Sequence, residues 1–486
     1  MSDNRYITIA KSSGVIGLVQ IVKMAFGLIQ NKVLALLIGP SGFGVWGLYN
    51  SFVEMVNSFA TLGIDSSGVR EIAKTDDEDS ISKIAWTIKN TLLFLAILVS
   101  LFCIVFSKKI SVLIFGSSNY YIGVIIVSLS FILTSLSKSG MAILNGRRYI
   151  EGLALCQIFG YSLSTIIIIG LAFLLKEDVI PYMFVLMPTF LVIFTSYYIR
   201  KLGITYRIGT LPEYKTIVKD LTYIGAGYTV SAVIGSVMNF VSRQFIVSEY
   251  GMETLGIYQS CWTISNVYVG TILTAMGVDF VPRLMKVMSN KIEGNKVITE
   301  QLEFSILLAS AGIIPMMAFS SYILHFLYSS EFIIGANIIK YQLIGVSLRV
   351  YGFVFGYIIM AYKKPIMFVL TQMIVFVLDY VFLVLLSYLW GYDSLGLNYV
   401  MSYLVYTIIT LFLCRKKFDL KISPMLLKII LLSIVFIALS YYVTLLPAVI
   451  IPGVLLSGIY TFIVYYILKK HMGINILGLL KQRMTR

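Results

Sequence analysis

What most constrains this chain is the length of its apolar runs, which pass ~20–26 residues with scarcely a charge, enough to cross a hydrocarbon core about 30 Å thick. A backbone inside a bilayer finds no water to pair with, so each run must be a helix that satisfies its own N–H and C=O groups. Windows of ~20 residues place spans at about 12–37, 44–64, 84–106, 120–144, 153–175, 181–199, 221–247, 257–282, 301–324, 336–360, 365–389, 397–414, 425–446 and 449–468. These fourteen spans predict an all-α, polytopic membrane protein. Composition agrees: of 486 residues 58% are hydrophobic and 13% charged, with a mean hydropathy of +0.90, against about 25% charged in a soluble domain. A soluble enzyme, a disordered chain and a disulfide scaffold are excluded. The first run carries Lys23 and Lys32 and is followed by many others, so it is expected to stay in the protein rather than be cleaved as a leader. Cys103, Cys156, Cys261 and Cys414 sit inside spans without CxxC or metal spacing and read as small core residues. No metal and no cofactor is expected.

Lys and Arg set the orientation, because cytoplasmic loops carry the excess. Loops on one side, with both termini, hold 27 of the 38 basic residues, and the opposite loops hold only Lys108, Lys109 and Lys176. Both termini are therefore expected in the cytoplasm. The net charge of +15 reflects topology and contact with anionic membrane lipids, and nucleic acid is not an expected partner.

The chain also repeats itself. Gly39-Pro-Ser-Gly-Phe-Gly44-Val-Trp46 aligns with Gly251-Met-Glu-Thr-Leu-Gly256-Ile-Tyr258, Leu62-Gly-Ile-Asp65 with Met276-Gly-Val-Asp279, and Ser117-Ser-Asn-Tyr-Tyr-Ile-Gly123 with Ser329-Ser-Glu-Phe-Ile-Ile-Gly335. Basic doublets recur as well, Arg147-Arg148 and Lys363-Lys364. Matches in order at a nearly constant offset indicate duplication. The unit has six spans, an even number, so the copies are parallel repeats with a ligand site expected between them near the midplane. The reading is a six-helix lobe over 1–205, a second over 206–420, and two extra transmembrane helices with a tail over 421–486.

Eight bases lie within spans: Lys23, Lys32, Lys89, Lys138, Arg243, Lys340, Arg349 and Lys428. Only Glu54 and Asp379 lie clearly inside as acids, with Asp279 and Glu303 at span ends. A base at a span centre costs about 2.5–3.5 kcal/mol on insertion scales. Lys428, and to a lesser degree Lys32, Arg243 and Lys340, can snorkel to an interface; Lys23 and Arg349 are too deep. Helical spacing aligns Gln20, Lys23, Gly27 and Gln30 on one face, and Asn50, Glu54, Asn57 and Thr61 on another. Further stripes run through Gln259, Thr263, Asn266 and Gly270, through Gln342 and Arg349, through Gln372 and Asp379, and through Ser128, Ser135 and Lys138. Together they predict a hydrated, electropositive interior suited to an anionic ligand. Lys23–Glu54 and Arg349–Asp379 could instead be structural ion pairs, yet two acids neutralise only two of the eight bases.

The segment Lys32-Val-Leu-Ala-Leu-Leu-Ile-Gly-Pro-Ser-Gly-Phe-Gly44, followed by Leu48-Tyr-Asn-Ser-Phe, resembles the opening of bacterial O-antigen/polysaccharide translocases of the Wzx type. Those proteins share a superfamily with multidrug MATE exporters and the lipid II flippase. Size, span count, the duplicated lobes, the Asn145-Gly-Arg-Arg148 turn and two C-terminal helices extend the resemblance over essentially the whole chain. It implies a MATE-like fold in the bacterial inner membrane. It also implies a flippase that moves an undecaprenyl-diphosphate-linked oligosaccharide, the repeat unit of O-antigen, lipopolysaccharide or another surface polysaccharide, by alternating access. No binding residue is carried over by motif. From the residues alone, Lys23, Lys32, Lys89, Lys138, Arg243, Lys340 and Arg349 are the candidate substrate-binding groups, and Glu54 and Asp379 the candidates for coupling to H+ or Na+. A polysaccharide polymerase is a candidate partner in the same pathway.

A MATE-like exporter of organic cations is the alternative, but its ligand calls for an acidic cavity. An integral membrane glycosyltransferase, polymerase or ligase would need placed acids or His on an exposed loop. The longest outer loop, 107–119, has two lysines and neither acid nor His, and His325 and His471 read as interfacial. No catalytic residue is therefore expected. The run Asp76-Asp77-Glu78-Asp79 reads as a solvated loop rather than a metal site.

Overall fold

The computed structural model describes residues 2–288, 290–361, 365–418 and 420–473. Lys363-Lys364 and the tail beyond Gly473 lie outside the described residues, and so does the side chain of Asp279. Every regular element among the described residues is helical. In the first half these are α1 (Ser2–Thr61), α2 (Ile64–Ile72), α3 (Glu78–Val105), α4 (Ser107–Phe115), α5 (Tyr121–Gly146), α6 (Ile150–Leu175), α7 (Ile180–Lys201) and α8 (Leu211–Trp262). The second half adds α9 (Tyr268–Val287), α10 (Lys291–Ala318), α11 (Ser320–Leu327), α12 (Ala336–Ala361), α13 (Pro365–Trp390), α14 (Ser394–Phe418), α15 (Pro424–Val443) and α16 (Ile450–His471).

Ten helical segments among the described residues are long and apolar enough to cross a membrane, and four of them run 38–52 residues. The chain is a multi-pass membrane protein.

Helix α1 is two helical stretches joined at one residue. Gly39 takes φ 60° and ψ −171°, a conformation open to a residue without Cβ. Pro40 then starts the next stretch, where its missing N–H costs nothing. Gly251 does the same inside α8, at φ 84° and ψ 171°. These glycines are the first residues of the repeated sequence blocks. Elsewhere helices start on side-chain caps: Asp77 accepts from the Ser80 amide, Asn290 from those of Ile292 and Glu293, and Ser423 from that of Leu426. The acidic run is therefore the cap and first turn of α3.

The order of elements recurs. Helices α3 and α10 each span 28 residues, α5 and α12 each 26, and α6 and α13 each 26. The short α4 and α11 follow α3 and α10. One contact recurs too: a Cβ on Gly123 would overlap the Tyr49 hydroxyl, and one on Gly335 would press on the sulfur of Cys261, which occupies the position in the second repeat that Tyr49 holds in the first.

Packing divides the chain into two compact units, residues 1–256 with 327–329, and residues 257–326 with 330–486. The first therefore contains α8 as far as Gly256. Lipid tails are as apolar as Leu, so close approach of small residues, more than burial of apolar area, holds such helices together. In the first unit Gly140 lies on Thr195 and Gly160 on Leu191, around a core of Ile64, Ile88, Leu92, Ile143 and Ile199. In the second, Gly345 lies on Tyr399 and Gly352 on Tyr406. There α15 and α16 join α10 through a buried triangle of hydroxyls, with Ser310 3.3 Å from Ser433, Ser433 3.0 Å from Tyr460, and Tyr460 donating to Ser310 at 2.8 Å.

Candidate functional site

The first unit forms a half-open cavity of about 560 Å³, within the range of small-molecule sites. Its wall is built by the second stretch of α1, the break at Leu62-Gly63, α2, α5 and the first stretch of α8. The stripe Glu54, Asn57 and Thr61 of α1 faces in, joined by Ser58. Leu62 and Gly63 both adopt positive φ, 44° and 69°, and this sharp turn swings Asp65, Ser66, Ser67 and Arg70 of α2 onto the wall. Helix α5 adds Lys138, and α8 adds Thr229, Ala232 and Ser236.

Inside it the groups are mostly hydroxyls and amides that both donate and accept, as the hydroxyls of a sugar do. Ser58 and Ser236 pair at 2.8 Å, and Asn239 donates to Glu54 at 3.5 Å. The amide oxygen of Asn57 and the hydroxyl of Ser135, one turn before Lys138, are buried with no hydrogen-bond partner. Lys138 Nζ lies 3.6 Å from Asp65 Oδ2, with both side chains about a third exposed. Such a pair is worth about 0–1 kcal/mol, so the ammonium can exchange its carboxylate for another anion at little cost. Charges balance here: Glu54 and Asp65 against Arg70 and Lys138.

Of the bases singled out from the sequence, the structure brings Lys138 into this cavity together with Glu54. The others meet different neighbours. Lys23 stands over the ring of Tyr161 on α6, 4.4 Å from its centroid, and Gln30 on the same face accepts from Thr165 at 3.1 Å. Lys32 donates to the Tyr328 carbonyl at 2.5 Å. Arg243 is 2% exposed and bonds to the carbonyl and side-chain oxygens of Asn239, one turn earlier. Lys340 donates to Thr444 at 3.4 Å and faces the Tyr441 ring, at the C-terminal end of α15. Arg349 donates to Asn266 at 3.2 Å and Tyr399 at 3.3 Å, while Asp379 accepts from Asn398 at 3.0 Å and Ser402 at 3.2 Å.

Lys89 sits under the connector that joins α7 to α8, 4.3 Å from the ring centroid of Tyr206. That connector is strapped to the start of α3. Arg207 pairs with Asp79 at 2.8 Å, and Lys83 with Glu213 at 3.2 Å. The Arg207 amide reaches the Ser82 carbonyl at 3.4 Å, and Trp86 meets Tyr214 edge-on at 5.9 Å. Hydrogen bonds from the Thr210 amide and hydroxyl, then from Lys83, hold the Glu213 carboxyl below its usual range. Ser80 does the same for Asp77.

Asp65, Ser66 and Arg70 escaped the sequence reading. Leu62-Gly-Ile-Asp65 had marked the spot only as part of a repeat, and Arg70 counted as a loop base. Nothing in one sequence says that a two-residue break turns a nine-residue helix back onto the polar stripe.

The polysaccharide biosynthesis protein family matches residues 33–337. Over 407 residues the chain is 23% identical to the lipid III flippase of Escherichia coli K12, an alignment covering 82% of this chain and 96% of that protein, and the Shigella flexneri lipid III flippase matches equally. Among solved structures, the lipid II flippase MurJ in an inward closed conformation superposes with a TM-score of 0.73 at 15% identity, covering 94% of this chain and 99% of that one. An inward-facing multidrug resistance MATE family transporter of the MOP superfamily gives 0.70 at 15% identity, over 82% and 94%. These likenesses establish the MATE-like fold. With more than half of its length matched, and with the apolar spans and polar interior described above, the chain belongs to the polysaccharide biosynthesis protein family.

Proposed function

We propose that this protein is a flippase that carries an undecaprenyl-diphosphate-linked oligosaccharide, the repeat unit of O-antigen or another surface polysaccharide, from the cytoplasmic to the periplasmic leaflet of the bacterial inner membrane. The observation that carries this reading is the nearly end-to-end alignment with a lipid III flippase, 96% of that protein. A sugar-sized cavity in the first unit, lined by hydroxyl-bearing and charged residues, supports it.

The architecture proposed is two six-helix lobes and two further helices. The four longest apolar segments are each interrupted, at Gly39, at 176–179, at Gly251 and at 391–393. Counting each as two crossings turns ten segments into fourteen spans. The bias of Lys and Arg supports cytoplasmic termini. On this reading the protein works by alternating access. Lys138 and Arg70 meet the diphosphate or acidic sugars, and the hydroxyl-rich wall meets neutral sugars; Lys23, Lys32, Lys89, Arg243, Lys340 and Arg349 remain candidates for other stages. Coupling to H+ or Na+ would run through Glu54 or Asp379. Beside Asp379, the buried amide oxygen of Asn398 has no hydrogen-bond partner, and the two together offer acceptors to a cation. A polymerase partner is part of the proposal.

The test is complementation. A host lacking its own O-antigen flippase, supplied with this protein and the matching repeat-unit enzymes, should regain surface polysaccharide. Failure of the properly inserted protein to restore it with any of a panel of lipid-linked repeat units would overturn the proposal.

A further inference from the structure

The second unit holds a guanidinium for which the described residues supply no acid. Arg349 is the fourteenth of the 26 residues of α12, so it is too central to snorkel to either interface. Its Nη1 donates to the Asn266 side-chain oxygen and to the Tyr399 hydroxyl, both neutral. Its Nη2 and Nε meet no acceptor among the described residues. The hydrogen bonds described for Asp379 come from Asn398 and Ser402 rather than from Arg349.

Asn266 reaches Arg349 because Thr263–Val267 forms a π-helical turn between α8 and α9. Such turns admit an extra residue and recur at functional sites. On the same turn Ser265 lies 2.7 Å from Gln342 Oε1 and 2.8 Å from the Cys261 carbonyl, with one proton for the two. Whichever it chooses, one atom of the fully buried Gln342 amide is left without a partner, Nε2 in the orientation observed. Gln342 and Arg349 are two turns apart on one face of α12, about 10 Å along the axis. Opposite them α9 presents Gly270, where a Cβ would stand 3.5 Å from Arg349 Nη2. At this position no side chain comes between the helix and the fork.

Among the described residues, a full charge, two guanidinium nitrogens without an acceptor and an orphaned amide share one face, and no ion pair to a carboxylate is formed there. We propose that Arg349, with Gln342 and with Asn266 as the residue that positions it, forms an oxyanion site for the transported molecule, taking either the diphosphate of the lipid carrier or the carboxylate of an acidic sugar. This deepens the flippase reading and rests on it. Trp262 packs edge-on to Tyr399 at 5.4 Å, which makes it a built-in reporter of the site.

The experiment uses the full chain in detergent with Trp46, Trp86 and Trp390 changed to Phe, so that Trp262 alone of the four tryptophans emits. Inorganic pyrophosphate and, separately, glucuronate are titrated against sodium chloride of equal ionic strength. At least one anion is expected to give a saturable change in emission, and the better of the two tells carrier from sugar. Arg349→Ala should raise the midpoint at least tenfold. Asn266→Asp places a carboxylate against the guanidinium without emptying the site; it should fold as the parent does and lose binding to a similar extent. Arg349→Lys, which keeps the charge but not the fork, should lose less. The site is refuted if neither anion gives a response beyond that of sodium chloride, or if Asn266→Asp binds as the parent does. Complementation separates the two levels: a parent chain that exports polysaccharide but binds neither anion sinks the site alone, whereas a chain that binds pyrophosphate yet never restores export sinks the transport reading alone.

Discussion

Gly44 and Gly256 each lie against the start of the helical stretch that carries the other. A Cβ on Gly44 would overlap the Met252 carbonyl oxygen, and a Cβ on Gly256 would overlap that of Pro40. Pro40 and Met252 directly follow the kink glycines Gly39 and Gly251. The contact is therefore reciprocal, with equivalent residues of the two repeats exchanging roles. Backbone meets backbone, so nothing can rotate aside to admit a side chain.

Gly44→Ala and Gly256→Ala should accordingly each destabilise the protein by about 1–3 kcal/mol, the usual cost of overpacking. Gly170, on α6 with nothing near its would-be Cβ, is the control; there Ala should gain about 0.5–1 kcal/mol by restricting the unfolded chain. Thermal inactivation in detergent reads both. Equal behaviour of the three variants would show that the crossing is not tight.

Lys138→Ala should reduce polysaccharide export and also leave Asp65 without its partner. Adding Asp65→Asn removes the stranded carboxylate, and should recover the part of the loss that is structural, about 0–1 kcal/mol for so exposed a pair, but not export. If the double variant exports as well as the parent, Lys138 serves only Asp65.

The strap between the α7–α8 connector and α3 should weaken in acid. Glu213 has its carboxyl pKa lowered by Thr210 and Lys83. Its contribution is therefore fully present above the ordinary carboxylate value and is lost as pH falls through the lowered one. Hydrogen exchange at residues 203–214 should be slow near neutral pH and, after allowance for the intrinsic pH dependence, faster below about pH 4, the ordinary carboxylate range. Glu213→Gln should show the faster exchange already at neutral pH. Protection unaltered in Glu213→Gln would mean that the aromatic contacts of Trp86 and Lys89 hold the connector without the charges.

Tyr460→Phe removes one corner of the Ser310–Ser433–Tyr460 triangle, yet leaves the two serines 3.3 Å apart and able to pair. Interhelical hydrogen bonds in membranes average about 0.6 kcal/mol and reach about 1.7, so the loss should stay near the low end. Ser433→Leu, which breaks two corners and adds bulk, should cost more. Thermal melting of the two variants in the same detergent decides; a larger loss for Tyr460→Phe would mean that the phenol is the keystone.

Much of this protein was readable without coordinates. Lipid obliges each backbone to satisfy its own polar groups, so the all-helical, multi-pass character follows from runs of local composition. The repeat was equally plain, down to the glycines at 39 and 251 that prove to be its kinks. Helical period put Glu54, Asn57 and Thr61 on one face, and the cavity shows that face turned inward. What a period cannot supply is the neighbour. Lys89 and Lys138 looked alike in the sequence, yet one lies under a connector more than a hundred residues later and the other faces Asp65. Ser265 and Asn266 depend on a single wide turn, which leaves no trace in composition. Faces are local properties of one helix, whereas partners are set by how separate helices cross, and only the tertiary structure decided which buried charge meets which.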